Sequence, residues 1–125
     1  MNDATINASS QVPLSSVKQF VVAHLMDNFD ETEINSLESR LLAMLSDNRH
    51  LQGVIFNFSE VMTTDPQDLS HLQAVFTAIK LLGGRIGLCG INPGLAAVIV
   101  SAQLNFQREV IGSDLDDVTA SLLQR

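Results

Sequence analysis

Few side chains in this sequence are placed to carry chemistry, and attention converges on a single stretch. Cys89 is the only cysteine and sits inside the apolar run Arg85-Ile86-Gly87-Leu88-Cys89-Gly90. A thiol there reads as buried and inert, not as a nucleophile. His24, His50 and His71 are far apart, without HxH or HxxxH spacing, so no metal site is expected. Asp68 and His71 stand three apart on a predicted helix and offer at most a local pair, a solvated helix face being the ordinary reading. Asp30, Glu33, Asp65, Asp68, Asp114 and Asp116 fall at predicted helix starts, where a carboxylate stabilises the positive end of the helix dipole. Capping therefore accounts for them without acid–base catalysis. Neither a GxxxxGK(S/T) phosphate loop nor a GxGxxG turn occurs, so a nucleotide or other small ligand at the strand ends has no motif behind it. The sequence points away from an enzyme and implies no cofactor. What stands out is 57–68, where Asn57-Phe58-Ser59-Glu60-Val61-Met62-Thr63-Thr64-Asp65-Pro66-Gln67-Asp68 leaves a strand and opens a helix.

The elements that position this stretch follow from hydrophobic spacing. Residues 12–17 suggest a short first strand, held to an edge by Pro13. Residues 19–26 (QFVVAHLM) are an apolar run of strand length that Asp27-Asn28 breaks. Asp30 and Glu33 resemble a capping box, and Ile34, Leu37, Leu41, Met44 and Leu45 follow at spacings of three and four, predicting a helix to about Asn48. Residues 54–58 read as a buried strand. Asp65 as N-cap with Pro66 at the first helical position starts the next helix, whose stripe is Leu69, Leu72, Val75, Phe76, Ile79 and Leu82. Gly83-Gly84 ends it as a C-cap. A strand over 85–90 follows, then a helix opened by Asn92-Pro93 with Leu95, Val98, Ile99 and Ala102 facing inward. A strand at 109–111 and a helix capped near Asp114 complete the order β-β-α-β-α-β-α-β-α. Such alternation implies an α/β fold with a largely parallel sheet of about five strands and four helices. The first two strands are close enough to pair antiparallel. Periodicity leaves open whether the helices cover one face of the sheet or both. Val61 and Met62 are apolar in a predicted loop; packing onto the core is the favoured reading, a contact surface the other.

Composition narrows the function classes. The chain has 125 residues, the size of one ordinary domain, and residues 1–11 read as a flexible N-terminus ahead of a single domain over 12–125. Net charge is −7, and the seven basic residues form no stripe, which disfavours nucleic acid and anionic membrane surfaces. A basic protein partner fits the charge. A lone cysteine and an N-terminus without a signal-peptide pattern predict a cytoplasmic protein.

The segments GVIFNFSEVMTTD at 53–65 and LLGGRIGLCGINPGLA at 81–96 resemble the STAS family (sulphate transporter and anti-sigma factor antagonist). The likeness extends over nearly the whole chain and is closest to the small scaffold type of the stressosome. It implies a STAS fold and a non-enzymatic role in stress signalling, with assembly into homo- or hetero-oligomers. The partners it implies are larger STAS-bearing sensor paralogues and a serine/threonine switch kinase; an anti-sigma factor bound directly is the alternative. It places the partner surface at Met62, Thr63, Thr64, Asp65, Pro66, Gln67 and Asp68. In the family a phosphorylatable Ser or Thr follows the acidic position. Here Asp65 is followed by Pro66, which has no hydroxyl. A second acceptor position, in the helix after the GINP segment, matches Val98. The resemblance thus implies a scaffold without phosphorylation at the usual position, or a switch moved to Thr63, Thr64 or Ser70, or a switch that has been lost.

Overall fold

The computed structural model describes residues 11–124, so all of the expected flexible N-terminus at 1–11 except Gln11 lies outside the described residues. Strands β1 (Leu14–Val17), β2 (Phe20–His24), β3 (Gly53–Asn57), β4 (Arg85–Cys89) and β5 (Val110–Gly112) form one sheet in that spatial order. β1 and β2 pair antiparallel, and β2 through β5 are parallel. The helices are α1 (Glu31–Asp47), α2 (Pro66–Leu81), α3 (Pro93–Ser101) and α4 (Leu115–Leu123), with a 3-10 turn at Phe106–Arg108. Fold class and element order are as the sequence implies.

Local chemistry explains the helix starts. Asp30 Oδ1 accepts the Glu33 N–H at 3.0 Å and Glu33 Oε1 accepts the Asp30 N–H at 3.1 Å, a complete capping box. Asp65, Asn92 and Asp114 each accept a first-turn N–H with their side chains, and Pro66 and Pro93 fill the adjacent positions where no donor is needed.

The two sheet faces differ. Val21, Ala23, Val54, Phe56, Ile86 and Leu88 point into the larger core, under Leu37, Leu41, Leu72, Phe76 and Ile99 of α1, α2 and α3. The alternate residues Phe20, Val22, Ile55 and Cys89 meet Val118 and Leu122 of α4 on the other face. Helices therefore cover both faces, three to one. Gly87 makes the fourth helix possible: a Cβ there would stand 2.8 Å from a Leu122 methyl and 2.9 Å from a Val118 methyl.

Some expected boundaries move for identifiable reasons. β1 begins at Leu14 because Pro13 has no N–H for the ladder, although its carbonyl accepts the His24 N–H at 3.0 Å. β5 runs one residue later than expected, and the 3-10 turn before it was not legible. In α3 only Leu95 and Ile99 are buried; Val98 and Ala102 are half-buried. Cys89 is buried as expected, and burial, reinforced by the Asp114 charge, pushes its thiol up to about 11.

Candidate functional site

Residues 58–68 lie at the sheet edge where the parallel strands end, and three neighbouring segments hold them. The Phe58 N–H donates to the Cys89 carbonyl at 2.8 Å, and the Val61 N–H donates to the Phe58 carbonyl at 2.9 Å. Val61 is fully buried, and its carbonyl accepts Asn92 Nδ2 at 2.9 Å while Asn92 Oδ1 accepts the Leu95 N–H at 2.8 Å. One side chain thus caps α3 and fastens the loop to it. Asn92-Pro93 looked like a plain helix start in the sequence; its second role depends on an approach between distant segments.

From the other side, Asp27 Oδ1 accepts the N–H groups of Met62 and Thr63, both at 2.8 Å. The Asn28 N–H donates to the Thr63 carbonyl at 3.2 Å. The Thr63 donor, then the Met62 donor, holds the Asp27 carboxyl below its ordinary value. Sequence reasoning missed Asp27 as a site residue. Its only sequence signal was an Asp-Asn break after a strand, which does not identify a contact 35 residues away.

A lowered carboxyl contributes stability above its unfolded value and loses it as pH falls through its folded one. The Met62 and Thr63 amides are therefore expected to lose exchange protection below about pH 4. In Asp27→Asn the same amides should exchange about tenfold faster at neutral pH, since two charge-assisted bonds become weaker neutral ones, and the acid step should vanish. NMR amide exchange measures both; unaltered rates would show that Asp27 does not hold the loop.

The predicted surface residues separate by exposure. Met62 is 70% exposed, so it does not share the inward packing of Val61. Thr63, Asp65, Pro66, Gln67 and Ser70 are exposed, and Thr64 and Asp68 are half-buried. Asp65 Oδ1 is occupied with the Gln67 N–H at 2.8 Å. The Thr64 hydroxyl is buried without a partner, which puts it out of reach of an external enzyme while the loop keeps this conformation. Pro66 faces α3 across an open groove of about 460 Å³ lined by Ala97, Val98, Ser101 and Ala102. The two positions at which the resemblance places phosphate acceptors, Pro66 and Val98, thus line one apolar groove.

His71 and His24 are both partly buried. His71 Nδ1 is buried and unpartnered, a departure from the solvated face expected, and it forms no hydrogen bond with Asp68 among the described residues. His24 Nε2 lies 2.8 Å from Ser15 Oγ, and Nδ1 lies 3.4 Å from Asn57 Nδ2. Asn57 Oδ1 accepts the Ser59 N–H, so its amide NH₂ faces Nδ1. Neutral His24 then carries its proton on Nε2 and donates to Ser15, the wrong polarity for a general base.

A profile of the STAS domain matches residues 11–118. Among solved structures, RsbS of Moorella thermoacetica aligns with a TM-score of 0.78 at 19% identity, over 90% of this chain and 95% of that one. A chain from the molecular architecture of the stressosome, a signal integration and transduction hub, aligns at 0.69 and 19% identity, over 90% and 96%. The anti-sigma factor antagonist SpoIIAA in its unphosphorylated form aligns at 0.66 and 15% identity, over 90% and 97%. Among curated proteins, none matches this chain. No helix among the described residues is long and apolar enough to cross a membrane.

Proposed function

This chain belongs to the STAS domain family, and on that premise we propose that it is a non-enzymatic, cytoplasmic protein-interaction module of a stress-signalling assembly. In this reading it is a stressosome-type scaffold that assembles with larger STAS-bearing sensor paralogues and holds a serine/threonine switch kinase. Partners contact Met62 through Asp68. The observation that carries the reading is the groove between Pro66 and Val98, a largely apolar surface at the two positions where a phosphoswitch would place hydroxyls, with Ser101 the one hydroxyl in its lining. A proline at the first helical position fixes the backbone there and offers nothing to phosphorylate. The contact surface is then permanent, without phosphate control at its usual place. Should the switch have moved to one of Thr63, Thr64 or Ser70, the exposed hydroxyls of the three are those of Thr63 and Ser70.

The likeness in fold to SpoIIAA supports a second reading, in which the same edge binds an anti-sigma factor directly. Incubation with the cognate switch kinase and ATP, followed by phosphopeptide mass spectrometry, tests the first. No phosphate is expected on 61–70, and mixing with a sensor paralogue should give large particles by light scattering. Stoichiometric phosphate on Thr63 or Ser70 would overturn phosphate independence. A strict monomer with and without the paralogue would overturn the scaffold. Pull-down of an anti-sigma factor with no sensor paralogue would favour the second reading.

A further inference from the structure

The parallel topology sorts charge between the two ends of the molecule. Helices α1, α2 and α4 start at the edge where the parallel strands end, and their caps and first turns carry eight carboxylates and no lysine or arginine. Lys18, Arg49, Lys80, Arg85 and Arg108 stand at the opposite edge, where strands β2 to β5 begin and α1 and α2 stop. Three of these, Lys80, Arg85 and Arg108, line one cavity of about 380 Å³. The single carboxylate there, Glu109, is nearly buried and already paired with Lys80 at 2.7 Å. That is the one ion pair among the described residues, so both guanidiniums are available to an acidic group from outside. At the other end Asp68 is crowded by Asp65, Asp30 and Glu31. Burial first, and then those charges, push its carboxyl up, with His71 opposing. A cation brought there relieves the repulsion.

We propose that the chain associates head to tail, the acidic edge of one copy docking through Glu31 and Asp68 on the Lys80, Arg85 and Arg108 cavity of the next. Planar guanidinium forks match carboxylates in geometry as well as charge. The contact is heterologous, so each copy keeps one unfilled pole until a ring closes or a larger array forms. A docked acidic edge covers the 62–68 loop, so self-assembly and partner binding at that loop compete. The contact concerns this chain alone and stands or falls separately from the sensor paralogue.

The test is sedimentation velocity of the full chain across a concentration series at about 20 mM and about 500 mM salt. Oligomers larger than dimers are expected at low salt and monomers at high salt. Arg85→Gln/Arg108→Gln should be monomeric at both. Ser39→Glu/Ala43→Glu shifts net charge equally from the exposed middle of α1 and should assemble like the wild type. Glu31→Gln/Asp68→Asn should also be monomeric, but mixed with the arginine variant it should give a heterodimer and nothing larger, because each retains one intact pole. Far-UV circular dichroism checks that every variant is folded. A monomer at low salt, a mass independent of salt, a control as impaired as the arginine variant, or variants that fail to complement would each overturn the proposal.

Discussion

Phe76→Ala is expected to lower stability by about 4 kcal/mol, within the range for removing a fully buried phenyl group. Phe76 joins two layers. Its ring centroid lies 4.8 Å from Phe56 of β3 and 5.0 Å from Phe106 of the 3-10 turn, both tilted, and Phe106 continues to Phe58 at 6.3 Å. Tilted aromatic pairs contribute about 0.5–1.5 kcal/mol beyond buried area, and Phe76 makes two. Domains of this size are stable by about 5–15 kcal/mol in total, so one substitution removes a large share. Chemical denaturation should show a lower midpoint with an unchanged slope. Phe76→Leu, which keeps most of the volume, should cost less than half as much. Equal costs for the two would show that the ring contacts, which both variants lose, set the cost and that the extra cavity left by alanine adds little. Because Phe58 leads into the loop at 58–68, the alanine variant should also loosen the candidate site.

Gly90→Ala is expected to cost about 3 kcal/mol, from left-handed backbone strain and overpacking together. Gly90 has φ +77, and a Cβ there would stand 2.7 Å from the Ser59 nitrogen and 3.1 Å from Asn57 Oδ1. Those atoms form the hydrogen bond that turns the chain out of β3, so the strain falls on the root of the candidate loop. Amide shifts should concentrate at 57–63, with thermal unfolding lowered. Gly94→Ala is the matched control. It lies in the first turn of α3, with only Asn92 Oδ1 near a Cβ at 3.4 Å, and should be neutral or stabilising by up to about 1 kcal/mol. Similar behaviour of the two variants would mean that the close crossing at Gly90 is not what shapes the loop.

Sequence alone determined the elements and their order, because helix periodicity, capping and strand runs are encoded within a few neighbouring residues. Asp30, Asp65, Asn92 and Asp114 mark four helix starts, and all four are realised. It also determined that the position after Asp65 has no hydroxyl, which no folding can alter. Local spacing could not say that Val61 turns inward while its neighbour Met62 turns out, since that depends on Asn92 reaching across to the Val61 carbonyl. Nor could it say that Asp27 holds the loop, because that contact exists only once β2 and β3 lie side by side. The placement of α4 on the second face follows from space left at Gly87 and from three helices already filling the first. The same holds for charge. Carboxylates at helix starts are visible residue by residue, but parallel strands bring those starts to one edge and leave Arg49, Arg85 and Arg108 at the other, and only the assembled sheet makes two poles of them.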